Sequence, residues 1–203
     1  MHVIKRGHNR GPCFVDARDC ELYLACLREL ASKHRCRLHA YCLMPNHIHL
    51  FLTPDDPQAC ESLMRPLGQR YAQYFNRRHR RTGSVWEGRF RSCIVDTARY
   101  VLACYRYIEM NPVEAALAAS PSGYEWSSFN ANSGVRTDPA LAPHAEYLAL
   151  GAGPRSRAAA YTGLFKQPLD AAMVDAIRKA TQAGDPLGLE LGDGARAPSP
   201  VKG

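Results

Sequence analysis

Two histidines spaced two residues apart are the first groups in this sequence that could do chemistry. His47 and His49 follow Pro45 and Asn46, a pair that commonly opens a turn. In a β-strand, residues two apart project from the same face, so both imidazoles would share one face while Ile48 points to the other. Two neutral imidazoles can bind one metal ion and leave positions for a third ligand and a substrate oxygen. The same pair also fits a solvated sheet face, so the remaining catalytic groups must come from elsewhere in the chain.

The composition is that of a globular protein with a basic surface. The 203 residues are 46% apolar and 9% aromatic, enough for one good-sized domain and an appendage. Lys and Arg outnumber Asp and Glu by 26 to 19, and the net charge of +7 suggests a polyanionic partner. The eight cysteines form no Cys-x-x-Cys pair, which argues against a zinc ribbon and favours reduced thiols. Since neither a membrane span nor a signal peptide is recognisable, we expect a cytoplasmic protein without membrane association.

The order of the elements around the histidines predicts an α+β fold. Two segments with apolar residues at helical spacing alternate with four strand-like segments, in the order strand, helix, strand, strand, helix, strand. That order is typical of the ferredoxin-like βαββαβ fold, an antiparallel sheet with helices on one face. The predicted strands are 1–5, 37–43, 47–52 and 92–95, and the predicted helices are 17–34 and 59–78.

A further helix, predicted over 97–110, can bring a tyrosine to the histidines. It follows the last strand, so it can cross the open face or the edge of the sheet. Tyr107 lies beside the apolar core stripe of this helix, and Asn111 lies one turn further along the same side. Tyr105 falls on the core stripe, and Tyr100 is a nearby alternative.

An arginine-rich stretch predicts contacts with nucleic acid. Residues 65–91 contain eight arginines and one acidic residue, Glu87. Aromatic residues are interleaved with these arginines, and the mixture suits phosphate contacts beside base stacking. A solvated charged face is the alternative interpretation. The residues predicted to bind DNA are Arg6, Arg70, Arg77, Arg78, Arg80, Arg81, Arg89, Arg91 and Trp86.

The remaining sequence predicts a catalytic domain followed by a smaller extension. Pro112 is expected to end the preceding helix, and the domain is expected to span 1–131. The Gly- and Pro-rich segment 132–143 resembles a linker and opens a helical extension over 132–189. The last residues, 190–203, have the composition of a disordered tail. Short helices are predicted over 146–150, 155–164 and 170–182.

Five stretches resemble, in this order, the HUH tyrosine transposases of small insertion sequences. Among these, the chain is most similar to the REP-associated tyrosine transposases, which are linked to repetitive extragenic palindromes. The resemblance covers residues 1–129 and extends more loosely over 147–187. The stretches are YCLMPNHIHL at 41–50, RYAQYFNRRH at 70–79, WEGRF at 86–90, RYIEMNPV at 106–113 and YEWSS at 124–128.

The resemblance implies a role for each candidate residue. His47 and His49 would bind Mg²⁺ or Mn²⁺, Asn111 would be a third metal ligand, and Tyr107 would be the nucleophile. The substrate would be single-stranded DNA near a folded hairpin, cleaved through a 5′-phosphotyrosine so that the ends can be rejoined. The resemblance also implies that two copies can act together as a homodimer. A DNA-binding regulator of the same fold without turnover is the main alternative, and a hydrolase of small phosphoesters fits the arginines less well.

Overall fold

A four-stranded antiparallel sheet with helices on both faces organises residues 1–188, the part of the chain that the computed structural model describes. The predicted tail, 190–203, lies outside the described residues. The strand order is β2-β3-β1-β4, which confirms the predicted ferredoxin-like arrangement. The elements of the sheet and its first helices are β1 His2–Arg6, α1 Ala17–Lys33, β2 Cys36–Met44, β3 His47–Pro54, α2 Ala59–Arg78, β4 Arg91–Cys93 and α3 Ala98–Glu114.

Among the described residues, four further helices follow α3. The three predicted for the extension are present, with bounds that differ by a few residues from the expected ones. They are α4 Phe129–Asn132, α5 Ala145–Leu148, α6 Pro154–Gly163 and α7 Ala171–Ala183, with 3₁₀ turns at His8–Arg10, Pro121–Gly123 and Leu164–Lys166. Asp170 caps α7 by accepting a hydrogen bond from Ala172 N, and Gly184 ends it at φ 83°. Within residues 1–188, no helix is both long and apolar enough to cross a lipid bilayer.

The two faces of the sheet carry separate hydrophobic clusters. The first cluster joins Ile48, Leu50 and Leu52 to α1 and α2, and all three of these side chains are completely buried. The second cluster joins Phe51 and the opposite face of β2 to α3 and α7. The alternation predicted for β3 is therefore confirmed, because each face of the strand meets a different layer of helices.

Helix α3 continues past Pro112, so the prediction that it ends there was wrong. Proline has no N–H to donate to the carbonyl of Ile108, four residues earlier. The side-chain amide of Asn111 donates to that carbonyl at 3.4 Å and to the carbonyl of Tyr107 at 2.7 Å. This substitute donor lets the helix run to Glu114.

The segment 132–143 is packed against the sheet, contrary to the linker expected from its composition. Ala142 N donates to the carbonyl of Leu38 at 2.7 Å, and Tyr41 Oη donates to Asp138 at 2.7 Å. Asn132 is buried and donates to Glu109 on α3. Ala140 and Leu141 of this segment pack against the first cluster, whereas α6 and α7 contribute to the second.

Candidate active site

The histidines of β3 lie on the sheet face that α3 and α7 cover. Directly opposite residues of antiparallel strands share a face, and the register of β1 places Ile4 opposite His49 and Arg6 opposite His47. His49 is 2% exposed, whereas His47 is half-buried at the start of its strand. The two ring centroids are 4.9 Å apart. The two predicted imidazoles are thus adjacent, and solvent reaches the pair from the side of His47.

Hydrogen bonding and burial keep His47 in the neutral form that binds metals. Its Nδ1 lies 2.7 Å from Asn46 Oδ1, and the orientation of this amide is supported by its Nδ2 donating to the carbonyl of Arg10. An amide oxygen can only accept, so Nδ1 carries the proton and Nε2 keeps its lone pair. Burial, reinforced by the charge of Arg6, lowers the pKa of His47 to about 4.

Burial acts still more strongly on His49. It lowers the pKa of this imidazole well below its usual value, with a further contribution from His2 and His47. A buried imidazole in this environment is neutral at physiological pH.

Tyr107 reaches the histidines because α3 crosses their face of the sheet. Its ring centroid lies 5.7 Å from that of His49 at an interplanar angle of 84°, and 5.6 Å from that of His2 at 82°. Tyr105 is completely buried among apolar side chains, as its place on the core stripe predicted. Tyr107 therefore lies edge-on against both His2 and His49.

A cavity of about 560 Å³ opens onto these groups and is strongly basic. His47, His49, Tyr107 and Asn111 share its wall with five arginines and one acidic residue, Glu87. Such a charge balance favours a phosphate chain over a neutral ligand. The arginines are Arg6, Arg10, Arg89, Arg91 and Arg178.

The donor atoms of the cavity fit a divalent cation. His49 Nε2 is buried without a hydrogen-bond partner, a state that a metal bond would resolve. Because Asn111 uses its Nδ2 on helix carbonyls, its Oδ1 is the atom left for a ligand. Among residues 1–188, no group of three His, Cys, Asp or Glu side chains is arranged to hold a metal ion. A cation here would need the amide oxygen, phosphate oxygens or water beside the two imidazoles.

The predicted DNA-binding residues divide between two regions. Arg6, Arg89 and Arg91 line the cavity. The remaining arginines lie on α2 and the turn after it, on the side of the sheet away from the histidines. Two of these are engaged in ion pairs with α1: Arg70 Nη1 lies 2.7 Å from Glu29, and Arg78 binds both Asp16 and Asp19. Arg77, Arg80 and Arg81 are exposed near the end of α2.

Trp86 is packed in the first cluster, where it has no free face for base stacking. The residue is 6% exposed, and its indole Nε1 donates to the carbonyl of Gly68 at 3.0 Å. Lys5 lies 5.5 Å from the ring centroid. The structure therefore assigns this tryptophan to the core, which corrects the stacking role expected from its arginine-rich surroundings.

The structure adds residues that sequence reasoning missed. His2 hydrogen-bonds His49, and α7 brings Arg178 to 6.0 Å from the centroid of the Tyr107 ring. Alternation along β1 could have placed His2 and Arg6 on one face, but the sequence does not indicate how β1 pairs with β3. Nothing in the helical pattern of 170–182 distinguishes Arg178 from an ordinary surface residue. The other missed wall residues are Ile4, Arg10, Glu87, Thr181 and Gln182.

Comparison with known proteins identifies the family of this chain. The family model described as "Transposase IS200 like" matches residues 1–111, more than half of the chain. A solved structure of a REP-associated tyrosine transposase bound to a REP hairpin is 15% identical, with a TM-score of 0.49 over 70% of this chain and 84% of that one. A candidate transposase from Deinococcus radiodurans is 24% identical, with a TM-score of 0.37 over 44% of this chain and 72% of that one. We found no significant match among curated proteins.

Proposed function

Since the chain belongs to the IS200-like transposase family, we propose that it cleaves and rejoins single-stranded DNA through a covalent bond to Tyr107. The observation that carries the proposal is the meeting of Tyr107 with His49 inside the basic cavity. A nucleophile, two neutral imidazoles and a phosphate-binding wall are the parts that this reaction needs. Tyr107 is the nucleophile, and His47, His49 and Asn111 are the proposed holders of a divalent cation, Mg²⁺ or Mn²⁺.

The proposed reaction transfers a phosphoryl group twice. The phenol of Tyr107 loses its proton, its oxygen forms a bond to phosphorus, and the bond from phosphorus to the 3′ oxygen breaks. The leaving 3′ oxygen takes up a proton, so that a 5′-phosphotyrosine and a free 3′-hydroxyl remain. Attack of a 3′-hydroxyl on the phosphotyrosine then restores a phosphodiester and frees the tyrosine.

The residues of the cavity supply orientation and charge. Arg6, Arg89 and Arg91 would bind the phosphates that flank the scissile one, and Arg178 would lie beside the attacking phenol. When bound, a divalent cation would withdraw charge from the scissile phosphate. A phenol is a weak nucleophile at neutral pH, so close positioning by α3 matters for the rate.

Hairpin-bearing DNA is the proposed substrate class. This part of the proposal is supported by the resemblance of the chain to REP-associated tyrosine transposases within the family that the five stretches indicate. Palindromic repeats near the gene would provide the first oligonucleotides to test. Strand transfer between two DNA ends further suggests a homodimer, because one subunit carries one proposed nucleophile. Chemical cross-linking with and without DNA would report that assembly.

The test is a covalent-adduct assay. Purified protein is incubated with Mn²⁺ and labelled single-stranded DNA that carries a hairpin, and the denatured products are separated by gel electrophoresis. We expect a protein–DNA adduct that is lost in Tyr107→Phe and retained in Tyr100→Phe. Tyr100 is the matched control because it lies on the same helix and does not line the cavity.

Each outcome separates the candidate functions. Hairpin binding by the wild-type protein without any adduct would favour a regulator of the same fold and refute the enzymatic proposal. An adduct that survives Tyr107→Phe would show that another nucleophile reacts. An adduct of equal yield on unstructured DNA would remove the hairpin from the proposal and leave the cleavage chemistry.

A further inference from the structure

A buried hydrogen-bonded chain connects the candidate metal ligand His49 to helix α7. His49 Nδ1 lies 3.0 Å from His2 Nε2, and His2 Nδ1 lies 2.8 Å from Thr181 Oγ1. The two imidazole planes differ by only 6°, as expected for an N–H···N bond in the plane of both rings. His2 and Thr181 are completely buried.

The other partners of Thr181 show which group donates and which accepts in each of these hydrogen bonds. Thr181 Oγ1 lies 2.7 Å from the carbonyl of Ile177, which can only accept, so the hydroxyl proton is used there. Cys93 Sγ, 3.2 Å away, and His2 Nδ1 must then be the donors to the same oxygen. A hydroxyl with one bond donated and two accepted has its full complement of partners.

The direction at Thr181 sets the proton position on each imidazole. If His2 donates from Nδ1, its Nε2 is bare and accepts the proton of His49 Nδ1. His49 Nε2 is then bare as well, and this is the buried atom that has no hydrogen-bond partner. If these hydrogen bonds ran in the opposite direction, His49 Nε2 would carry a proton with no acceptor. That state is unfavourable for a buried donor, and the proton would block a metal bond.

We propose that His2, held by Thr181, is a positioning residue that keeps His49 as the tautomer with a free Nε2 aimed at a divalent cation. Metal-ligating histidines ordinarily donate their second ring nitrogen to an outer partner that fixes ring orientation and tautomer. Here that partner is an imidazole, and its own proton position is set from α7. The C-terminal extension thereby helps to orient His49, a residue of β3 that lies far away in the sequence. The inference rests on the proposed metal role of His47 and His49.

The first experiment determines the tautomers in the metal-free protein. Long-range ¹H–¹⁵N NMR spectra of ¹⁵N-histidine-labelled protein distinguish protonated from bare ring nitrogens. We expect a bare Nε2 on both His2 and His49 in the wild-type chain. In Thr181→Val, which removes the hydroxyl at nearly constant volume, we expect a second tautomer of both rings to be populated.

The second experiment measures Mn²⁺ affinity directly, without DNA or turnover. Thr181→Val and His2→Phe are expected to weaken Mn²⁺ binding by about 10- to 100-fold, the usual effect of losing an outer partner of a metal ligand. Thr181→Ser keeps the hydroxyl and should bind nearly as the wild type does. Thr53→Val is the matched control, because Thr53 Oγ1 pairs with the buried His39 at 2.8 Å on the same sheet. Its loss should leave Mn²⁺ affinity unchanged.

These measurements separate failure of the inference from failure of the proposed function. A protonated His49 Nε2 in the wild-type spectra overturns the inference, as does Mn²⁺ affinity in Thr181→Val within about twofold of the wild type. If His49→Ala also binds Mn²⁺ like the wild type, the proposed metal site itself is refuted. The NMR spectra of the metal-free protein decide on the tautomer in either case.

Discussion

Replacing Glu109 by glutamine should remove a pH dependence that this buried carboxyl imposes on stability. Glu109 lies on α3, two residues beyond Tyr107, and is completely buried. It accepts hydrogen bonds from Ser128 Oγ, from Asn132 Nδ2 and from the hydroxyl of Tyr161 on α6. Burial outweighs these three donors and raises its pKa from 4.5 to about 7.

The sign and size of the effect follow from that rise. Between pH 4.5 and 7 the folded protein holds this proton and the unfolded chain releases it, so the free energy of unfolding falls as pH increases. At about 1.4 kcal/mol for each pH unit, the loss amounts to about 3 kcal/mol once the pH has passed 7. In Glu109→Gln this contribution is absent. The variant should therefore gain about 3 kcal/mol relative to the wild type between about pH 4.5 and pH 8.

Urea denaturation of both proteins at closely spaced pH values measures the difference. The buried histidines, including His39 and His47 with pKa values lowered to about 4, make both proteins less stable as pH falls from 6.5 towards 4. Their contribution cancels when the two curves are subtracted. Glu114→Gln, which removes an exposed carboxyl on the same helix, is the control for the substitution itself. A flat difference for Glu109→Gln from about pH 5 to pH 8 would refute the assignment of the proton to this carboxyl.

Three further changes test the loop and the two arginine regions. In Gly7→Ala the new Cβ would lie 2.2 Å from the carbonyl oxygen of Gly11. Urea denaturation should therefore show that the free energy of unfolding falls by about 2 kcal/mol. An unchanged midpoint would contradict the close approach of these two backbone segments. Arg89→Ala removes a cavity cation and should weaken single-stranded DNA binding, with the slope of log affinity against log salt reduced by about 0.7 in fluorescence anisotropy titrations. Arg78→Ala leaves the buried carboxylate of Asp19 without its arginine and should cost about 2 kcal/mol of stability while that slope stays the same. Equal effects of the two arginine substitutions on the salt slope would show that the DNA path includes α2.

Local periodicity was sufficient to predict the strands and helices that carry the motifs. The alternation of His47 to Leu52 is a period-2 pattern that any pairing partner preserves, so its two faces were predictable before its neighbours were known. Tyr107 and Asn111 share a helix side through spacing alone. The prediction that α3 ends at Pro112 was wrong because the effect of a proline depends on whether a nearby donor replaces its missing N–H. Here the Asn111 side chain supplies that donor.

The contacts that complete the site depend on pairing and packing between distant segments. His2 meets His49 only because β1 pairs with β3 in one particular register, which neither strand specifies alone. The arginine-rich stretch had the right composition for DNA contacts but contained residues of both sheet faces. Arg78 and Trp86 belong to the face away from the cavity, and a count of charges and rings cannot separate the two faces.

The family match covers most of the site but ends before α7. Residues 1–111 contain both histidines of β3, Tyr107 and Asn111, together with four of the five cavity arginines. Arg178 and Thr181 come from α7, beyond the matched region, and one lies over the Tyr107 ring while the other holds His2. The extension therefore contacts both the proposed nucleophile, Tyr107, and His2, the support of the proposed metal ligand. Because α7 contacts the proposed active site through these two side chains, changes in the packing of α7 should alter metal binding and phosphate contacts together.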